Sequence, residues 1–344
     1  MTTKHMIASA LALLAMAAGA QARDLTIAGW GGAYNEAQRQ SHYAPFAAAK
    51  GITVAEDTYL GGLAEIKAMV EAGNPKWDLL IVEGAELQLG CDEGLFEPLD
   101  WEAIGGKDVL VPDAVSDCGA GAYVWGTGIA FNTDAVGEKA PTTWADFWDT
   151  ETWPGKRGLR AGPKNNLEFA LLADGVPPTE VYDVLATPDG LDRAFAKLDE
   201  IRDDIQFWDA GAQPTEWLAA GNVVMSSAYN ARASRAAAEG RPVGFSWTNS
   251  AYSIDSWVIP AGAPNKDLAM EFLAFANGPE PQTKFAELFS YAPTNVAGVA
   301  DLPPELAERL PAGANIETAF LSDEAFWTDN IDQISERWNV WVTR

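Results

Sequence analysis

Trp30-Gly31-Gly32 is the first place along the chain where residue types and spacing suggest chemistry. Two glycines let backbone N–H groups approach a bound group closely, and the indole supplies an apolar wall beside them. The other reading is a tight turn holding a core Trp. Arg232 and Arg235, near the start of an Ala-rich run, have the charge and fork geometry to hold a carboxylate; they also suit a solvated helix face. Sets for covalent or metal chemistry are sparse. Beyond His5 the chain has one histidine, His42, and two cysteines, Cys91 and Cys118, and no Gly-x-Ser-x-Gly. That leaves no nucleophile–base pair, no sulfur–histidine metal site and no cofactor motif.

Elements must position these residues. Leu25 to Ala28 predicts a strand, the glycines a turn, and residues 36–49 an amphipathic helix stopped by Lys50-Gly51. A short strand from Ile52, a helix from Leu63 to Ala72 and an apolar strand from Trp77 to Val82 follow, then a short helix from Ala85 to Gly90. This β-α-β-α-β-α order predicts a parallel sheet with helices on its faces, whose ligands bind at the carboxyl ends of the strands. Phe96-Glu-Pro-Leu99 reads as a surface turn, and Tyr123 to Asn132 as a strand pair. Thr143 caps a helix, and a second α/β unit runs from about 135 to 250. After a strand at Ser253–Pro260 the chain is helical to its end.

The first 22 residues read as a cleaved export signal: Lys4 and His5, an apolar run to Ala18, then Ala20-Gln21-Ala22. The remaining chain holds 22 bases against 49 acids, a net charge of −27. That excludes nucleic acid and anionic membranes as partners, and favours a cationic solute or simply a soluble exported surface. An even pair of cysteines in an oxidising compartment predicts a Cys91–Cys118 disulfide.

Leu25–Trp30, Trp77-Asp-Leu-Leu-Ile-Val82, Val124-Trp-Gly-Thr-Gly-Ile-Ala-Phe-Asn132, Ile254-Asp-Ser-Trp-Val-Ile-Pro260 and Tyr291-Ala-Pro-Thr-Asn295 occur in an order that resembles the periplasmic solute-binding proteins of ABC importers, in particular their putrescine/spermidine branch. The resemblance implies an α/β fold of two lobes with a ligand cleft between them and hinge crossover strands. It places residues 23–132 and about 251–344 in lobe one, C-terminal helices included, and about 133–250 in lobe two. It implies a monomer without cofactor, handing a small amine solute to a membrane permease.

A polyamine needs carboxylates for its ammonium groups and aromatic faces along its methylenes. By resemblance Asp255 is such a carboxylate, Trp30 and Tyr291 are the aromatics, and Trp125 is a further candidate. The chain departs from the polyamine pattern at Gly31-Gly32, at Gly84 with Glu83 before it, and at Tyr229-Asn230, where an amide replaces a second carboxylate. Glu168 falls near another acidic contact. With Arg232 added, these departures open a second reading, a solute bearing both amine and acid. A periplasmic hydrolase and a ferric-ion binder using Tyr229 are the remaining alternatives.

Overall fold

The computed structural model describes residues 25–344; the export-signal reading, residues 1–22, lies outside them. The described residues form one nine-stranded sheet. Its strands are β1 Leu25–Gly29, β2 Val54–Thr58, β3 Leu79–Val82, β4 Gly119–Asn132, β5 Arg157–Arg160, β6 Ile205–Trp208, β7 Met225–Tyr229, β8 Val243–Val258 and β9 Phe320–Leu321. The order is β2-β1-β3-β8-β4-β7-β5-β6, with β9 on β8. β1, β2 and β3 run parallel at one end, and β5 with β6 and β7 run parallel at the other. Each parallel set is the sheet of one lobe, and β3 is buried along its whole length, as its Leu-Leu-Ile-Val run requires.

Two long antiparallel strands join the lobes. β4 pairs with β8 from Gly119↔Val258 to Thr127↔Ala251, and again from Ile129↔Ser246 to Asn132↔Val243. Between these stretches β4 contributes Gly128 alone while β8 contributes residues 247–250. A side chain at Gly128 would meet the Phe245 ring and the Ser246 carbonyl at 2.7 Å. Asn249 takes a left-handed φ of 55° within the bulge, and Trp144 Nε1 donates to its carbonyl at 2.9 Å. The crossing is thus a local irregularity, which is where a chain bends most easily; a smaller one precedes it, Ala122 being an extra residue between Gly121↔Ser256 and Tyr123↔Asp255. The sequence divides these strands more finely than the structure does, because the small and aromatic residues of 119–128 and 243–252 mask their continuity.

Each lobe has its own core. One gathers Leu25, Ile27, Ile81, Trp257, Phe272 and Phe285. The other gathers Trp144, Phe147, Leu159, Phe169 and Phe195 with Phe320, Trp327, Ile334, Trp338 and Trp341. The last five correct the expectation that the whole C-terminal segment belongs to lobe one. The helix Glu324–Val342 lays its tryptophan stripe on lobe two, while the helices Lys266–Ala276 and Pro279–Phe289 stay with lobe one. Phe96 and Leu99 are also buried rather than on a surface turn; Phe96 bridges to Pro260, and Gly90 leaves space for its ring. The helix after the Trp30 turn begins earlier than its helix formers suggest, at Gly32, and widens to a π-helical turn over Arg39–Tyr43.

Cys91 and Cys118 are joined as a disulfide, tying the end of the helix Gly84–Asp92 to the residue before β4. Reduction is expected to lower stability by roughly 3 kcal/mol on a chain-entropy basis. Denaturant titration with and without reductant checks this; coincident midpoints would show that the bond contributes nothing.

Candidate functional site

Alternation along the two crossing strands builds the floor of a cleft. Tyr123, Trp125 and Thr127 of β4 stand opposite Asp255, Ser253 and Ala251 of β8, and all six face a cavity of about 720 Å³. Period two puts them on one face, and the antiparallel register sets each pair side by side.

Asp255 is buried at 5% exposure. Its Oδ1 accepts from Trp125 Nε1 at 2.7 Å, and its Oδ2 from the Tyr123 hydroxyl at 2.6 Å and from Trp30 Nε1 at 3.1 Å. All three donors are neutral, and no described Lys or Arg forms an ion pair with it. Burial, and next the field of Glu83, push the Asp255 carboxyl up to about 7, against the pull of the three donors. A buried carboxylate with hydrogen bonds but no cation has its orientation fixed and its charge uncompensated. That arrangement suits an incoming ammonium group.

Aromatic faces surround it. Tyr291 stacks on Tyr123 at 5.0 Å, Trp125 meets the edge of Tyr229 at 5.6 Å, and Trp30 leans on Tyr59 at 5.3 Å. Gly31 and Gly32 line the cleft with left-handed φ of 78° and 55°. A side chain at Gly31 would also press on Thr58 at 3.0 Å.

The lobe-two wall is cationic. Arg160 ends β5, Lys164 follows in the next turn, and Arg232 opens the helix Asn230–Ala238 after β7. Lys164 is held by Glu324 at 2.7 and 2.8 Å, and Arg235 by Glu239 at 3.0 Å. Among the described residues Arg160 and Arg232 make no ion pair. The Tyr229 hydroxyl, raised chiefly by burial, lies in the fields of Arg160, Glu83, Arg232 and Asp255 together. Charges of both signs therefore converge on one cleft.

Trp30, Gly31, Gly32, Glu83 and Trp125 thus meet Tyr229, Arg232, Asp255 and Tyr291 around one cavity. Three expected residues do not join them. Asn230 is fully buried; its Oδ1 accepts from Gly126 N at 3.0 Å and its Nδ2 donates to the Ser290 carbonyl at 2.8 Å, so the amide is consumed in joining β4 to the C-terminal segment. Gly84 faces Glu324, whose Cγ would lie 2.6 Å from a Cβ there. Glu168 is likewise away from the cleft, bonded in the lobe-two core by Trp327 Nε1 at 2.7 Å and the Tyr182 hydroxyl at 3.1 Å. Tyr123, Thr127, Arg160 and Lys164 were not singled out from sequence. Tyr123 and Thr127 carried a usable signal, two positions either side of Trp125.

Among the described residues no cluster of His, Cys, Asp and Glu has the make-up of a metal site. The family model for bacterial extracellular solute-binding proteins matches residues 42–312. The chain belongs to this family. It is 46% identical over 331 residues to a gamma-aminobutyric acid-binding protein of Pseudomonas aeruginosa, covering 96% of this chain and 94% of that one. A solved GABA receptor is 36% identical over 93% of this chain and 97% of its own, with a TM-score of 0.82. The spermidine/putrescine-binding periplasmic protein of Escherichia coli K12 is 25% identical over 75% of this chain and 74% of its own. The protein is therefore a two-lobed solute-binding component of an ABC transporter and not an enzyme, which removes the hydrolase alternative.

Proposed function

We propose that this solute-binding protein captures a small ω-amino acid of the GABA kind in its interlobe cleft, acting in the periplasm as a monomer and presenting the solute to a membrane permease. The observation that carries the reading is an uncompensated carboxylate, Asp255, sharing a cleft with guanidinium groups that make no ion pair, Arg232 among them. The ammonium end sits at Asp255 among Trp30, Trp125 and the Tyr123–Tyr291 stack. The methylenes run along the aromatic faces, and the carboxylate meets Arg232. The buried charge of Asp255 gains a partner on binding, which offsets its lost water. The similarity to two GABA-binding relatives supports this reading over a diamine, whose second ammonium would face arginines.

A thermal-shift panel of GABA, β-alanine, 5-aminovalerate, glutamate, putrescine and spermidine tests it. GABA at about 100 times its Kd adds about 2.7 kcal/mol of stability and gives the largest rise in melting temperature. A larger shift with putrescine or spermidine would overturn the reading.

Affinity also follows pH. Both ends of GABA stay ionised between pH 5 and 8, so the titration reports the protein. The Asp255 carboxyl, raised to about 7, must ionise to pair with the ammonium. GABA affinity is therefore expected to fall as pH drops below about 7, approaching tenfold per unit, by calorimetry at fixed salt. The empty protein shows the opposite sign. Folded Asp255 holds its proton to higher pH than the unfolded chain, so this group's contribution to stability declines as pH rises from about 4 to about 7.

A further inference from the structure

Thr127, on the floor of the cleft, carries a buried hydroxyl without a partner. The residue is 3% exposed, it lines the cavity, and its Oγ1 makes no hydrogen bond among the described residues. Leaving a buried hydroxyl unpaired costs stability, and beside a ligand cavity the missing partner is one that the solute can supply. We propose that Thr127 is a specificity-determining residue, donating its hydroxyl proton to the carboxylate of the solute whose ammonium group sits on Asp255. The inference rests on the ω-amino-acid reading above and deepens it by naming a fixed contact for the acid end.

Strand register sets where that hydroxyl stands. From Tyr123↔Asp255 to Thr127↔Ala251 the pairing of β4 with β8 is unbroken, so Tyr123, Trp125 and Thr127 share one face. Thr127 therefore lies about 13 Å along the floor from the Tyr123–Asp255 pair, at about 3.3 Å per residue. An extended GABA spans about 6 Å from nitrogen to carboxylate oxygen, and a hydrogen bond of about 2.8 Å at either end makes about 12 Å. The two spans agree, with the Trp125 ring between them for the methylenes. Ala251 and Ser253, which also line the cavity, are too small to fill that space.

The other groups that could meet the acid are committed or less fixed. Five basic side chains line the cavity, Arg309 among them, together with Glu83 and Glu287. Lys164 is paired with Glu324 and Arg235 with Glu239, while Arg309 Nε donates to the Glu305 carbonyl at 3.2 Å. Arg160 and Arg232 are exposed on long stems, which bring charge but give up rotamer freedom to hold one position. Asn165 also lines the cavity with a buried, unpartnered atom, but that atom is Oδ1, which only accepts. A carboxylate takes several donors, so Arg232 neutralises its charge while Thr127, held on the sheet, fixes its place.

The test is calorimetric titration of the wild-type chain, Thr127→Val and Thr127→Ser with GABA, beside a melting curve of each empty protein. Valine keeps the shape and removes the hydroxyl. GABA binding by Thr127→Val is expected to weaken at least tenfold, as for a hydrogen bond to a charged group, while Thr127→Ser stays within about threefold of wild type. Empty Thr127→Val is expected to melt no lower than wild type, because the hydroxyl makes no bond without the solute. A GABA loss under twofold in Thr127→Val, an equal loss in Thr127→Ser, or a lower melting temperature of empty Thr127→Val would each overturn the inference. Any of these with intact GABA binding by the wild-type chain leaves the ω-amino-acid reading standing. A wild-type chain that binds putrescine and ignores GABA overturns that reading itself.

Discussion

Replacing Asp255 with Asn weakens GABA binding by about 2–4 kcal/mol, the range for removing one partner of a desolvated, hydrogen-bonded charge pair. The size of the effect follows from how the carboxylate is held. Trp30, Tyr123 and Trp125 fix both oxygens, so the charge cannot turn toward solvent when the ligand leaves. They supply no positive charge, so the ammonium is its only strong partner. An amide keeps the volume but removes the charge, and its NH2 must face at least one of the three donors. The empty variant is expected to stay folded, because a buried negative charge is a cost in the absence of ligand. Calorimetry on the variant checks this. A loss under tenfold would place Asp255 outside the ligand shell and leave its three donors as purely structural bonds.

Trp338→Ala is expected to destabilise the protein by about 3–5 kcal/mol through the cavity left in the lobe-two core. Trp338 is 4% exposed and packs on Trp341 at 5.1 Å and on Phe207 at 5.5 Å, with Phe195 behind. Phe207 lies on β6, at the far edge of the sheet from lobe one. Hydrogen exchange should therefore rise first in β5, β6 and β7 and leave β1 to β3 protected. Faster exchange confined to β1–β3 would instead return the helix Glu324–Val342 to lobe one.

That helix shows where sequence reasoning stops. Trp327, Ile334, Trp338 and Trp341 announce an apolar stripe, but a stripe does not name the surface it covers. Its neighbours in sequence, Lys266–Ala276 and Pro279–Phe289, pack on lobe one, and chain order suggests the same for it. β9 decides otherwise, by pairing with β8 at Ala251 and Tyr252 and carrying the chain across to lobe two. The parallel strands and the cleft aromatics were legible for a better reason: position at a strand's carboxyl end is a local property with a functional meaning. Arg160 was not, because β5 reads Arg-Gly-Leu-Arg. Arg157, at one end, is fully buried and donates to four backbone carbonyls, those of Phe147, Asp149, Trp153 and Gly155. Arg160, at the other, faces the cleft. Nothing in four residues separates the two fates. Asn230 misled for a similar reason. It follows the tip of β7, as a ligand contact would, but its side chain turns back to Gly126.

On the function proposed above, one cleft binds the amine and the acid of the same small solute. Calorimetric titration of the protein with GABA, and in the same buffer with putrescine, tests it most directly. Saturable one-to-one binding of GABA is expected, with a putrescine affinity at least a hundredfold weaker. Equal or tighter binding of putrescine would contradict it, showing that Glu83 and Asp255 serve two ammonium groups and that Arg232 holds no carboxylate.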